Sequence, residues 1–272
     1  AIKNAGMFKI LSSGRVQSPV LNILTHREKE IENFKSQPYW GLLAKLSIKN
    51  QEITTKHNAG RIFDKEKAEN LYNKCKNKKA EVISVKRKQY ELDPNPAFNI
   101  TSLQIEAYKN FKYSPKKTLD IAQSLYINAH ISYPRTSSEK LDPKIDYKMI
   151  LKALTGINQF RILAEAVLAK KILNPVQGKK IDPAHISIYP TKEIPKLDFL
   201  SIDQKNIYSL IVKRFISAFS DPAVRESMEV SFDINGEIFL INGTRTIKPG
   251  WIQVYEPYAK FKEVSIPDIK EK

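Results

Sequence analysis

The chain has 272 residues, 42% of them apolar, so it can form a hydrophobic core and is not disordered throughout. Its single cysteine excludes an internal disulfide framework and a zinc site made of several cysteines. Lys and Arg number 45 against 29 Asp and Glu, a net charge of +16, and no stretch approaches the roughly 20 apolar residues of a membrane span. We therefore expect an intracellular, cytoplasmic protein with a polyanionic partner, nucleic acid before acidic membrane.

The first predicted element is a helix over residues 19–34. Ser18 is a suitable N-cap and Pro19 suits the first helical position, and apolar residues recur after them at helical spacing. Pro38 ends this region because proline restricts the conformation of the residue before it. Residues 1–37 therefore form the first predicted unit.

Alternating periodicity replaces helical periodicity after this unit. The alternation predicts strands over 40–48, 52–56 and 81–92, with a helix capped by Asp64 over 64–76. The run DPNP at 93–96 breaks regular structure, so the first domain boundary is predicted there. Residues 38–96 are then the first part of a β-rich unit.

Residues 97–222 return to helical periodicity. Helices are predicted at 102–111, 115–129, 149–154, 161–172 and 204–219, with an irregular proline-rich loop at 174–195. The run SDP at 220–222 is the second predicted boundary. This stretch therefore forms a helical unit of its own.

Strand patterns follow the second boundary. They comprise alternation at 228–232, the hairpin turn Asn235-Gly236, an apolar run at 238–241 and a last strand at 251–255. Two β segments, 38–96 and 223–265, thus flank the helical unit. The predicted fold class is α+β, with one discontinuous β-rich domain, an inserted helical domain and a partial helical domain at the start.

The run HISYPRTSS holds the clearest candidate nucleophile. A tyrosine hydroxyl has an ordinary pKa of about 10, so it attacks a phosphate well only where a cation stabilises the phenolate and the phosphate. Arg135 follows Tyr133 by two positions, which puts both side chains on one side of an extended segment, and Thr136 adds a hydroxyl donor. The alternative is a tyrosine packed at a helix end and followed by an ordinary turn.

Three other segments carry candidate nucleic-acid-binding residues. Arg15 and Gln17, in LSSGRVQSP, lie at a helix N-terminus that offers backbone donors to an anion, or simply form a capped turn. Lys117, in SPKKT, opposes a helix dipole and so favours a facing phosphate, or it lies on a solvated turn. His185, in PAHIS, lies in a proline-rich loop and is either a binding residue or a structural one. The histidines lack metal-ligand spacing, so no metal site is predicted.

Seven segments, in their order along the chain, resemble the type IA DNA topoisomerases. They are LSSGRVQSP, REKEI followed by YW, FNITSLQIEAY, SPKKTLDIAQSLY, ISYPRTSS, PAHISIYPT and IYSLIVKRF. The resemblance runs from residue 1 to about residue 255, and the YPRTSS form is closer to the archaeal and topoisomerase III-like branch. It implies an enzyme that passes one DNA strand through a transient break in another.

The resemblance also implies roles for most of the candidate residues. Tyr133 would attack single-stranded DNA and keep the 5′ phosphate as a phosphotyrosine ester, and Arg135 would position that phosphate. Arg15, Lys117 and His185 match family positions and would contact the DNA or lie near the catalytic pocket, and Gln17 and Thr136 join the predicted DNA contacts from the interpretation of their own segments. The discontinuous β-rich domain would be the arch, the inserted helical domain would carry Tyr133, and residues 1–37 would be part of a helical strand-binding domain.

Further parts of the enzyme are implied outside the given sequence. Family members bind Mg²⁺ through a Toprim domain, so the expected partners are magnesium, that missing Toprim portion, and single-stranded or underwound duplex DNA. The chain alone is then expected to bind DNA weakly without relaxing it. The open alternatives are a non-catalytic single-strand-binding module, the topoisomerase module of a reverse gyrase, and a form that acts on RNA.

Overall fold

The computed structural model describes residues 14–48, 50–264, 266–267 and 269, which form one antiparallel sheet and a larger group of helices. The strands of the sheet are β1 Leu43–Ile48, β2 Gln51–His57, β3 Glu81–Leu92, β4 Ala223–Ile234 and β5 Glu237–Lys248. Their order is β1-β2-β5-β4-β3, and every neighbouring pair is antiparallel. The fold is therefore α+β, and the sheet joins two parts of the chain that the helical residues separate.

The hairpin of β4 and β5 lies at the centre of the sheet. Asn235 and Gly236 connect its strands with φ values of 56° and 83°, the left-handed conformations of a two-residue turn that matches strand twist. Val230 and Phe232 of β4 are almost completely buried and pack with Phe239 of β5. The alternation and the Asn-Gly turn therefore predict this hairpin correctly.

Eight α-helices lie in the described part of the chain. They are α1 Gln17–Glu32, α2 Lys65–Cys75, α3 Ile100–Phe111, α4 Pro115–Ile127, α5 Tyr147–Leu154, α6 Asn158–Leu168, α7 Ile202–Ser217 and α8 Trp251–Val254. The helix α7 is central, because it packs against α3, α4, α6 and α8 and has Leu210, Ile211 and Phe215 fully buried. Within the residues described, no helix has the length and apolar composition needed to cross a membrane.

Two sequence predictions are wrong in detail. A strand was predicted over residues 251–255, but residues 251–254 form helix α8, because Gly250 turns the chain with a φ of 50° and the Trp251 N–H donates to the Asp221 carbonyl. The first helix begins at Gln17, so Ser18 lies inside it and does not cap it. The Ser18 N–H instead donates to the Gly14 carbonyl at 3.3 Å, as in a helical turn.

A buried arginine holds the helices to the segment that enters them from the sheet. Arg214 of α7 donates from Nε to the Pro96 carbonyl at 2.8 Å, and its guanidinium lies 4.6 Å from the centre of the Phe98 ring. Burial lowers the pKa of Arg214, and these contacts offset part of the cost of burying its charge. At the return crossing, Trp251 Nε1 donates to the Leu92 carbonyl at 2.8 Å. A side-chain hydrogen bond to the backbone therefore fixes each crossing.

Gly178 should not tolerate a side chain, because an added Cβ would lie 2.3 Å from the Glu139 Cβ. Gly178→Ala is expected to lower the free energy of unfolding by about 1–3 kcal/mol, the usual cost of overpacking. Urea unfolding followed by circular dichroism measures the change. Gly41→Ala is the matched control, since the nearest atom to its added Cβ is 3.9 Å away. Equal stability of the two variants would contradict this close approach.

Candidate functional site

The run HISYPRTSS lies alongside the PAHIS loop as an irregular pair of extended segments. Ile131 and Pro190 form an antiparallel bridge, and the Ser132 N–H donates to the Tyr189 carbonyl at 2.9 Å. The Ser132 hydroxyl donates to the Ser187 carbonyl at 2.9 Å and accepts from the Tyr189 N–H at 3.0 Å. The structure thus brings together two motifs that are far apart in the sequence.

The end of α4 determines where this pair of segments begins. After α4, Ala129 takes a positive φ of 61°, so the chain turns sharply before the motif. The Thr191 hydroxyl donates to the Ala129 carbonyl at 2.5 Å, and the Thr191 N–H donates to the His130 carbonyl at 3.0 Å. The chain beyond α4 is therefore held against the segment that follows the PAHIS loop.

Tyr133 is half-buried between two other rings. Its ring centre lies 4.5 Å from that of His185 and 5.3 Å from that of Tyr126, which meets it at 73°. Histidine and tyrosine side chains are both used as general acids or bases in enzymes. The side chain of His185 is exposed, so this pair of rings is open to a ligand. The arrangement therefore suits a tyrosine that acts as a nucleophile.

Thr136 is buried in the segment that follows the tyrosine. Its hydroxyl donates to the His185 carbonyl at 3.3 Å and accepts from the Ser138 N–H at 3.0 Å. This hydroxyl was predicted to contact DNA, but in this structure both of its hydrogen bonds are made inside the protein. Thr136 thus connects the tyrosine segment to the backbone of His185.

Asp182 is the residue at this site that the sequence analysis missed. Its carboxylate accepts hydrogen bonds from the N–H groups of Ala184, Ser137 and His185 at 2.9, 3.2 and 3.1 Å, and from the Ser137 hydroxyl at 3.1 Å. These bonds, the one from Ala184 foremost, lower the pKa of Asp182 to about 2. The signal available in the sequence was Asp-Pro-Ala, since such an aspartate often accepts the N–H two residues on.

The other predicted phosphate contacts lie at the surface. Arg135 is exposed, and its side chain makes no hydrogen bond or ion pair with another residue that the structure describes. Its guanidinium can therefore offer two donors to a phosphate. Arg15 and Gln17 are also exposed, on either side of the start of α1, and no contact among the described residues joins them to Tyr133. The structure therefore does not bring them together with the tyrosine.

Lys117 is not free at the start of α4. Its Nζ lies 2.8 Å from Asp203 and 4.3 Å from the centre of the Tyr113 ring. The hydrogen bond to Asp203 raises the pKa of Lys117, and the same contact lowers the pKa of Asp203. The lysine side chain remains about half exposed, at 47%. A phosphate at this position would therefore compete with a carboxylate for the ammonium group.

The family resemblance implies magnesium in the Toprim portion, and the described residues of this chain form no metal site of their own. No group of three or more His, Cys, Asp or Glu side chains among them could hold a metal ion. Asp182 already accepts four hydrogen bonds, and Glu139 accepts from Asn99 at 3.0 Å and pairs with Lys180 at 3.7 Å. The carboxylates attached to the tyrosine segment are therefore engaged by protein donors.

Comparisons with known proteins agree with the motifs. A family model described as DNA topoisomerase matches residues 1–272. DNA topoisomerase 1 of Pyrococcus horikoshii is 42% identical over 98% of this chain and 39% of its own length. DNA topoisomerase 1 of Methanocaldococcus jannaschii is 43% identical over 100% of this chain and 35% of its own length. Full-length topoisomerase I from Thermotoga maritima shares the fold, with a TM-score of 0.70 and 24% identity over 97% of this chain and 43% of that structure.

The family model covers the whole chain, and both archaeal relatives are more than 40% identical to it. This chain belongs to the type IA DNA topoisomerase family, as its seven motifs predicted. Archaeal proteins are among its relatives, which agrees with the branch that the YPRTSS form indicated. The chain spans 39% and 35% of the length of the two curated relatives.

Thr136→Val should lower the free energy of unfolding by about 1–3 kcal/mol, because the Ser138 N–H and the His185 carbonyl lose their partner inside the protein. Thr136→Ser keeps the hydroxyl and is the matched control. It should cost only about 0.8 kcal/mol, for the buried methyl group that it removes. Urea unfolding of both variants makes the comparison. A valine variant as stable as the serine variant would show that these hydrogen bonds contribute little.

Proposed function

We propose that the protein containing this chain is a type IA topoisomerase that cleaves and rejoins single-stranded DNA, with Tyr133 as the nucleophile. The observation that supports this most directly is the half-buried phenol beside His185, two residues before an exposed arginine. The tyrosines that pack in the hydrophobic core differ from Tyr133 in their burial. Tyr208 and Tyr255 are almost completely buried, and burial raises their pKa, which makes them poor nucleophiles.

The proposed reaction exchanges one phosphodiester for another. The Tyr133 oxygen forms a bond to phosphorus as the bond from phosphorus to the 3′ oxygen breaks. The phenol loses its proton and the departing 3′ oxygen gains one, so the products are a 5′ phosphotyrosine ester and a 3′ hydroxyl. The reverse attack by that hydroxyl reseals the strand without another energy source.

His185 and Arg135 have distinct proposed roles in this reaction. His185 lies beside the Tyr133 ring, where it can take up the phenol proton and pass it to the departing 3′ oxygen, and resealing runs these transfers in reverse. Arg135 can hold the non-bridging oxygens of the phosphate with two donors and stabilise the charge that develops on them. Thr136, through its hydrogen bond to the His185 carbonyl, connects the segment that carries Tyr133 and Arg135 to the loop that carries His185.

We propose that the sheet is the arch of the enzyme, formed by residues 38–96 and 223–265. The helices of residues 97–222 would be the part that moves with Tyr133. The chain leaves the sheet after Leu92 and re-enters it at Ala223, close to both predicted boundaries, which supports this division. Helix α8 follows β5 and packs against α7, so it connects the two parts.

Residues 1–37 are proposed to be part of a strand-binding domain. The apolar side chains of α1, among them Leu24 and Ile31, are exposed in the described part of the chain. This exposure is expected of a helix that packs against other residues of a longer protein. Arg15 and Gln17 would then approach the DNA from that domain.

The proposed partners follow from charge and family. The net charge of +16 favours single-stranded or underwound duplex DNA inside the cell. Magnesium, which the residues around Tyr133 do not fit, is proposed to bind in the Toprim portion of the longer protein. That portion is then a partner of this chain within the same enzyme.

Tyr133→Phe in the intact protein should abolish the covalent protein–DNA adduct, because phenylalanine lacks the attacking oxygen. The substrate is a single-stranded oligonucleotide labelled at its 3′ end, so the label stays on the piece with the 5′ phosphate. Labelled protein is measured after denaturation in the presence of Mg²⁺. Tyr108→Phe, at an exposed tyrosine of α3, is the matched control and should keep the adduct.

An adduct of normal yield in Tyr133→Phe would exclude Tyr133 as the nucleophile. DNA retention on a native gel with no adduct in the unmodified protein would favour the non-catalytic binding module. The two outcomes are distinguishable because the first requires labelled protein and the second requires its absence.

Arg135→Ala should slow adduct formation by about 100-fold or more, the usual cost of removing one donor that stabilises developing charge. Arg135→Lys should lose less, because lysine keeps the charge but not the paired donors. Rates are measured at saturating DNA and fixed ionic strength. Arg61→Ala removes an exposed charge near the sheet and should keep the normal rate. Equal losses in Arg61→Ala and Arg135→Ala would instead indicate a general effect of net charge.

A further inference from the structure

The Asp182 carboxylate divides its two oxygens between two segments. Oδ1 accepts the N–H groups of Ala184 and His185 at 2.9 and 3.1 Å, which shapes the loop that carries the histidine. Oδ2 accepts the N–H and the hydroxyl of Ser137 at 3.2 and 3.1 Å, four residues after the tyrosine. One side chain therefore connects the histidine loop to the tyrosine segment.

A second Asp-Pro turn in the same chain shows what is particular about Asp182. Asp142 also precedes a proline, and its Oδ1 accepts the N–H of Lys144, two residues on, at 2.9 Å. For Oδ2 of Asp142 the described residues show no hydrogen bond to the tyrosine segment. The turn alone therefore does not require the second set of bonds that Asp182 makes.

Asp182 and Thr136 both form hydrogen bonds with the backbone of His185, whose ring contacts Tyr133. The Thr136 hydroxyl holds the carbonyl of His185 at 3.3 Å, and Asp182 holds its N–H at 3.1 Å. The His185 carbonyl is thus tied directly to a residue just after Tyr133, and the His185 N–H is tied to that segment indirectly, through Asp182 and its bonds to Ser137. The 4.5 Å separation of the Tyr133 and His185 rings rests on this framework.

A carboxylate close to a phosphate-binding segment is electrostatically unfavourable, because both groups are negative. Four donors around Asp182 offset this cost by spreading its charge over hydrogen bonds. The role that these bonds suggest for Asp182 is therefore to fix the geometry of the two segments, and not to contact the DNA.

We propose that Asp182 is a positioning residue for the Tyr133 reaction, which holds the His185 ring against the phenol before DNA binds. The inference rests on the proposed function. It assigns no contact with substrate to Asp182, which acts through Ser137 and the backbone of His185. Preorganisation of this kind affects the rate of the covalent step more than the affinity for DNA.

The test uses Asp182→Asn in the intact protein. The amide oxygen can keep the bonds within the histidine loop, while the amide nitrogen places a donor opposite the Ser137 N–H and breaks that bond. The Ser137 hydroxyl is then the one group of that residue that can still bond to the side chain, and it loses its charged acceptor. Adduct formation at saturating single-stranded DNA should slow at least tenfold, with DNA affinity unchanged. Asp142→Asn is the matched control and should retain the normal rate.

A second measurement reads the ring contact without relying on activity. With ¹³C-labelled histidine, the NMR signals of the His185 ring protons should be shifted upfield by the neighbouring Tyr133 ring. The Tyr133→Leu variant removes that ring, so the loss of the upfield shift in this variant identifies the His185 signals. This shift should be lost in Asp182→Asn and kept in Asp142→Asn. If the unmodified protein forms no adduct, the proposed function fails, and the histidine shift still decides the positioning role.

A double-variant cycle tests the route through Ser137. If Asp182 acts through that residue, Ser137→Ala and Asp182→Asn combined should slow the reaction less than the product of their separate effects. A normal rate with an unchanged histidine shift in Asp182→Asn would overturn the proposal. So would a loss of rate that is fully explained by weaker DNA binding, or an equal loss in Asp142→Asn.

Discussion

The candidate site depends on one constraint, which is that two segments without regular secondary structure must hold each other in place. Neither HISYPRTSS nor PAHIS is part of a helix or a longer strand, so few backbone hydrogen bonds shape them. Side chains supply the remainder, namely Ser132, Thr136 and Asp182. Polar links of this kind are sensitive to the loss of either partner, because the group left behind is unsatisfied. The same polar links hold the Tyr133 phenol in a defined position.

The core beneath the site provides the rigid support. Helix α7 is buried on nearly all sides, and α4, which leads into the tyrosine segment, packs directly against it. The two crossings to the sheet are anchored by Arg214 at Pro96 and by Trp251 at Leu92. A rotation of the helices relative to the sheet would therefore turn about these anchored crossings. Tyr133 would then move together with α7, against which α4 packs.

Local patterns predict most of the fold, and tertiary contacts explain where they fail. The bounds of β3, the Asp64 cap of α2 and the turn at Gly236 depend on residues close in sequence, and all three are found as predicted. Trp251 follows a strand-like pattern but is held in a helix by remote partners. Lys117 was predicted to face a phosphate from its own segment alone, and that segment does not show that the carboxylate of Asp203 pairs with it. The motifs single out Tyr133 and His185 as candidates, but they do not show the hydrogen bonds that bring these two residues together.

The central claim is that Tyr133 becomes linked to the 5′ phosphate of cleaved DNA. The most direct measurement is mass spectrometry of the adduct after digestion with nuclease and trypsin. Cleavage after Lys117 and Arg135 gives the peptide TLDIAQSLYINAHISYPR, which contains both Tyr126 and Tyr133. Fragmentation of that peptide should place the nucleotide 5′ phosphate on Tyr133. A phosphate on Tyr126 or on any residue outside this peptide would contradict the account.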